Sequence, residues 1–223
     1  MKLLLFSIIF LLACHNNKTP KERTFEDDKA TIINSQEDDS EKAGNFWIDK
    51  LNGNKYDKPD SFANRPASFY LNNPNVSPLA KALYNGTFRP EDEDNDSTTE
   101  LLKLIMTDNS EIRPFYRWCL DLTIQISDGA LAEYPGEPAL KYAIKFPKEF
   151  LEYLNNDTSW GRYSRWTEII TYSGLPAYNK DSTDNYNYIV QKMSANCKGC
   201  SKQTTDSIKQ FAKDVTAGLR NLD

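Results

Sequence analysis

The sequence predicts a mostly α protein, one domain of packed antiparallel helical hairpins entered through an irregular N-terminal wrap. Three observations carry that prediction. Helix start and stop signals recur along the chain, with proline or a capping hydroxyl at one end and glycine at the other. Between them apolar residues return every three or four positions, as in Phe115, Cys119, Leu122 and Ile126. No stretch alternates apolar and polar residues strongly enough to require a strand.

The elements follow in order. From Phe46-Trp47-Ile48 aromatic residues become regular, and a helical domain is expected over 45–223. Its first part, to about residue 76, holds a turn signal at Asn52-Gly53 and prolines at 59, 66 and 74. It therefore reads as an extended wrap, with a short helix near Trp47. Ser77-Pro78 opens a helix that Gly86 closes. Ser97-Thr98-Thr99-Glu100 forms a capping box before Leu101, Leu102, Leu104 and Ile105. Ser110 caps a longer helix with Pro114 in its first turn, and Gly129 ends it. Pro138 starts the next helix, which Pro147 breaks while beginning another. Further helices are expected over 159–172, 183–194 and 204–222, the last with Ile208, Phe211, Ala212, Val215 and Leu219 on one face.

The N-terminus has a different character. Lys2 precedes an unbroken apolar run from Leu3 to Ala13, and Cys14 follows at once. The run is about half the roughly 20 residues that a membrane-spanning helix needs, and it suits a signal-peptide core. Leu11-Leu12-Ala13-Cys14 resembles the lipobox of bacterial lipoproteins. That resemblance implies that residues 1–13 are a signal peptide and that Cys14 carries the lipid, its new amino terminus acylated as well. Several acyl chains on one residue hold a protein on a membrane stably, whereas one does not. Residues 14–44 then form the lipidated cysteine and a disordered tether, too polar and charged to offset its ordering entropy. His15-Asn16-Asn17-Lys18 has no aspartate beside the cysteine. By comparison with enterobacterial lipoproteins this points to the outer membrane, facing the periplasm.

Composition excludes several functions. The whole chain carries 27 basic and 32 acidic residues; loss of 1–13 removes Lys2 alone, leaving 26 against 32 and a net charge of −6. This argues against nucleic acid as a partner, since phosphate binding needs a basic field. The one histidine, His15, lies in the tether, so the domain has no imidazole for Ser-His-Asp or Cys-His catalysis or for zinc. No motif implies a cofactor or a bound metal. The acidic run Glu91 to Asp96 lacks the glycine and terminal glutamate of a calcium-binding EF-hand.

Three cysteines remain after lipidation: Cys119, Cys197 and Cys200. Cys197-Lys198-Gly199-Cys200 could be a redox pair, but it lies between helices rather than in a βαβ unit. A structural disulfide across the helix–helix turn is expected, with bonding of either residue to Cys119 as the alternative. Asp128 and Glu133 are candidate paired carboxylates for glycoside hydrolysis, against ordinary turn chemistry after a helix. Tyr178, Tyr186 and Tyr188 sit in a polar stretch and are candidates for an interaction surface. Two functions are therefore expected. The first is a non-enzymatic protein-binding or scaffold lipoprotein with an envelope protein as partner, of which an inhibitor or immunity protein is one form. The second is a carboxylate-dependent hydrolase of cell-wall or imported polysaccharide.

Overall fold

The structure, a computed structural model, describes residues 58–91, 95–156, 161–175 and 182–219. The chain divides into compact units at Met1–Gln36 and Glu37–Asp223, and every described residue lies in the second. Expectations about the signal peptide, Cys14, the tether, Trp47, Asn52-Gly53 and Tyr178 fall outside these residues. Within them the protein is mostly α and a single domain, with nine α-helices and one two-stranded sheet.

The wrap begins as a minimal hairpin, β1 (Ser61–Phe62) against β2 (Arg65–Pro66), antiparallel. Its two turn residues, Ala63 and Asn64, have φ of 46° and 65°. Asparagine adopts that conformation readily, whereas alanine does so at a cost of about 1–2 kcal/mol. What holds the turn is Phe62, whose ring meets Tyr70, Tyr84, Phe115 and Trp118 at centroid distances of 5.1–5.9 Å. Tyrosine hydroxyls pin the irregular backbone: Tyr70 Oη donates to Phe62 O and Tyr84 Oη to Pro59 O, both at 2.9 Å. A single-turn helix, α1 (Ala67–Leu71), follows.

Helix α2 (Pro78–Asn85) has the predicted ends. Ser77 Oγ accepts from Leu79 N, Pro78 takes the first position, and Gly86 closes with a φ of 78°. Helix α3 (Asn95–Lys103) starts two residues before the expected capping box. Ser97 is already inside it, and the neighbouring Thr98 is wholly buried. Its hydroxyl accepts from Glu91 N and donates to Glu91 O, tying the preceding loop to the helix. Leu104–Met106 then tightens into a 3-10 turn.

Helix α4 (Arg113–Ile126) is the centre of the fold. Pro114 sits in its first turn as expected, but Ser110 is not its cap; Ile112 precedes it without a side-chain cap. The turn before it is instead shaped by Thr107 Oγ1 and Asn109 Oδ1, which accept from Asn109 N and Glu111 N. Phe115, Cys119, Leu122 and Ile126, the predicted apolar face, all enter one hydrophobic cluster with the wrap, α1 and α2. Leu120 and Ile124 on the opposite side enter a second cluster with the later helices. The helix is therefore sandwiched, and one-face periodicity captures only one of its buried sides.

Gly129–Glu133 is a 3-10 turn. Helix α5 (Gly136–Lys145) starts at Gly136, not Pro138, because a proline within the first turn removes a donor that has no intrahelical acceptor. Helix α6 (Pro147–Asn155) begins directly on Pro147, after Phe146 leaves helical geometry at φ −129° and ψ 55°. Helix α7 (Arg162–Ile169) continues into a π turn, Ile170–Gly174. Helices α8 (Ser182–Asn196) and α9 (Lys202–Leu219) form the final hairpin. Cys197 and Cys200 are disulfide-bonded across its turn, and Cys119 is free and buried. No helix among the described residues is long and apolar enough to cross a membrane.

Two polar clusters are set into this core. Glu149 on α6 accepts from Arg113 Nε at 2.9 Å, from Arg117 Nη1 at 3.1 Å and from Tyr142 Oη at 2.9 Å. Arg113 also donates to Thr107 O and lies over the Phe146 ring. Asp121, 2% exposed, accepts from Trp166 Nε1 at 2.6 Å and from Gln125 Nε2 at 3.0 Å. Arg117 and Arg162 each stand 4.2 Å from the centroid of Tyr153 and link the two clusters. Buried charge needs partners, and here α4, α5, α6 and α7 each supply some.

Candidate binding groove

Asp128 and Glu133, the carboxylates singled out from the sequence, are both exposed and line different cavities. Neither of these two cavities holds both carboxylates. Glu133 joins Lys103, Tyr134, Glu137 and Lys141 around a cavity of about 450 Å³, where Lys141 Nζ and Glu137 Oε1 are 2.7 Å apart.

Asp128 lines the larger cavity, an open groove of about 910 Å³ between the C-terminal end of α4, α7 with its π turn, and α9. Its walls are tied together by side chains. Tyr163 Oη donates to Asp214 Oδ2 at 2.8 Å, and Gln210 Nε2 donates to the other oxygen, also at 2.8 Å. The Thr171 hydroxyl is 2.8 Å from both Thr167 O and Val215 O, so its one proton serves two carbonyls. Ser173 Oγ donates to Ala132 O and fixes the π turn to the 3-10 turn. Close approach needs glycines here: a Cβ on Gly218 would stand 2.9 Å from Thr171 Cγ2.

The lining is mostly apolar in area, with charged and aromatic groups set into it. Asp128, Glu168 and Asp214 present carboxylates, Arg165 a guanidinium, and Tyr163 and Tyr172 their rings. Tyr172 is 52% exposed, more than any other large hydrophobic residue among those described. The π turn explains that exposure. Ile170 and Thr171 are buried, Thr171 being held by its two carbonyls, so the next side chain projects outward. Burial, then the hydrogen bond and charge of Asp214, raise the pKa of the Tyr163 phenol above its ordinary value. It is a fixed donor at neutral pH.

The Cys119 thiol is buried and its pKa is raised by desolvation, so it stays protonated. No group of three or more metal-ligating side chains is present among the described residues. Of the other tyrosines named from the sequence, Tyr186 packs against the core, while Tyr188 is 40% exposed with Lys192 Nζ 6.0 Å from its ring centroid. Sequence reasoning reached Asp128 but missed Tyr163, Glu168, Tyr172 and Asp214. Tyr163 and Asp214 lie 51 positions apart, and no local signal joins them. Comparison with protein-family models, curated proteins and solved structures finds no match.

Proposed function

We propose that this protein is a lipoprotein of the bacterial cell envelope, lipid-anchored through Cys14, whose helical body binds another envelope protein without catalysing a reaction. The observation that carries the binding role is the groove: an open, largely apolar concavity of about 910 Å³ that carries charged groups and an exposed tyrosine. Tyrosine in such a setting offers a large, rigid contact area at low entropic cost. The lipobox resemblance at Leu11-Leu12-Ala13-Cys14 supports the anchor, and the outer membrane, facing the periplasm, is its proposed site.

The anchor is tested by metabolic labelling with radioactive palmitate, expected to label the wild-type chain and not Cys14→Ala, which should leave the membrane fraction. Binding is tested by crosslinking in intact envelopes followed by affinity capture and mass spectrometry. A stoichiometric envelope protein is the expected product; recovery of lipoprotein-processing enzymes alone would remove the binding role.

A further inference from the structure

Building on the protein-binding reading above, on which it rests, we propose that the groove between α4, α7 and α9 receives a basic segment of the partner, an extended stretch presenting lysine or arginine side chains. Charge complementarity identifies the occupant. Among the described residues, Asp128 after α4, Glu168 on α7 and Asp214 on α9 line one cavity together with one guanidinium, Arg165. A lining with more carboxylates than cations favours a cationic occupant over an anionic one. An anionic lipid surface or a nucleic acid would be repelled by the same field.

Position sharpens this. Asp214 has both oxygens held by Tyr163 and Gln210, so its charge is fixed on the groove wall. A carboxylate offers about four acceptor sites, which leaves room for a further donor. Tyr172 stands on the same wall, turned outward by the π turn, and a ring face attracts an ammonium or guanidinium group. π turns occur frequently at functional sites. Here the turn is braced on both sides, by Thr171 to α9 and by Ser173 to the 3-10 turn, so the exposed ring belongs to a rigid frame.

The test uses the full chain and two probes, a decapeptide of alternating lysine and serine and its counterpart of alternating glutamate and serine. Calorimetric titration is expected to show binding of the lysine peptide that weakens with salt, and none of the glutamate peptide. Asp128→Asn with Glu168→Gln should raise Kd by about ten-fold, since each solvent-screened pair supplies about a two- to five-fold effect; Tyr172→Ala should add a further loss. All three positions are exposed, and unchanged circular dichroism of the variants shows that the fold is retained. No binding of the lysine peptide, or equal binding by wild type and variants, overturns the proposal. The capture experiment, repeated with the triple variant, separates the two readings. A partner lost from the variant supports the groove. A partner kept by the variant overturns the groove and leaves the protein-binding role standing. Capture of no partner even by wild type removes both.

Discussion

Replacing Glu149 by glutamine tests the central polar cluster most directly. The carboxylate is 29% exposed and holds two guanidiniums whose side chains are 7% and 14% exposed, Arg113 and Arg117, together with the Tyr142 hydroxyl. Glutamine keeps the shape and removes the charge. Its single carbonyl oxygen cannot accept all the bonds that two carboxylate oxygens take, and its amide donors would face guanidinium donors. Arg113 would still bond Thr107 O and stack on Phe146, so it would stay in place as a buried cation without its counter-charge. Removing one partner of a buried pair costs about 3–5 kcal/mol; partial exposure of Glu149 puts the expected loss at the lower end, about 3 kcal/mol. For a domain of this size that lowers Tm by about 6–12 °C. The control is Glu137→Gln, which breaks an exposed i,i+4 pair with Lys141 and is expected to cost about 0.3–0.5 kcal/mol. Urea unfolding followed by tryptophan fluorescence measures both. Should Glu149→Gln cost no more than Glu137→Gln, the cluster is not an electrostatic brace and the argument from burial fails.

Further outcomes concern packing, pH and thiol chemistry. Gly136→Ala would place a Cβ on Ser173 Oγ and 2.5 Å from both Gly174 N and Ile169 O, backbone that cannot step aside. A loss of about 3 kcal/mol by urea unfolding is expected, against about 1 kcal/mol for Gly161→Ala, where φ is +64° but nothing lies within 4 Å. Burial raises the phenols of Tyr70, Tyr116 and Tyr142 above their ordinary pKa of 10.0. Stability from this source is therefore whole below pH 10.0 and falls above it, where the unfolded chain gives up protons that the folded chain retains. An alkaline titration should show tyrosinate absorbance delayed in the folded protein and released together with loss of helical dichroism; simple titration at pH 10.0 would refute it. Cys119 should resist iodoacetamide at pH 8 in the native protein and react fully in urea, as read by mass spectrometry, because its thiol is buried and its pKa is raised.

Much of the fold was legible in local chemistry. A cap acts within a turn of its helix, so Ser77, Pro78 and Gly86 bound α2 whatever surrounds it. Proline likewise acts on its own backbone, and Pro147 separates α5 from α6 as the sequence indicates. Where a side chain had a tertiary use, local signals misled. Thr98 serves the Glu91 backbone, and α3 starts two residues before Ser97, which therefore lies inside the helix rather than at its N-cap. Position 136, at the start of α5, requires glycine because the π turn comes too close for any side chain, a constraint that its own neighbours in sequence do not show.

By itself, then, the sequence determined the mostly α class, most of the helix and turn positions and the exclusion of histidine chemistry, because helical periodicity, capping and residue content are local or compositional properties. Only the tertiary structure decided what the charged and aromatic residues do. It buried Asp121 under Trp166, braced Arg113 and Arg117 with Glu149, and separated Asp128 from Glu133. It also placed Asp128 on one groove with Glu168, Tyr172 and Asp214. The physical reason is that the free energy of a charge or an exposed ring depends on its surroundings in space, and those surroundings come from helices far apart in the chain.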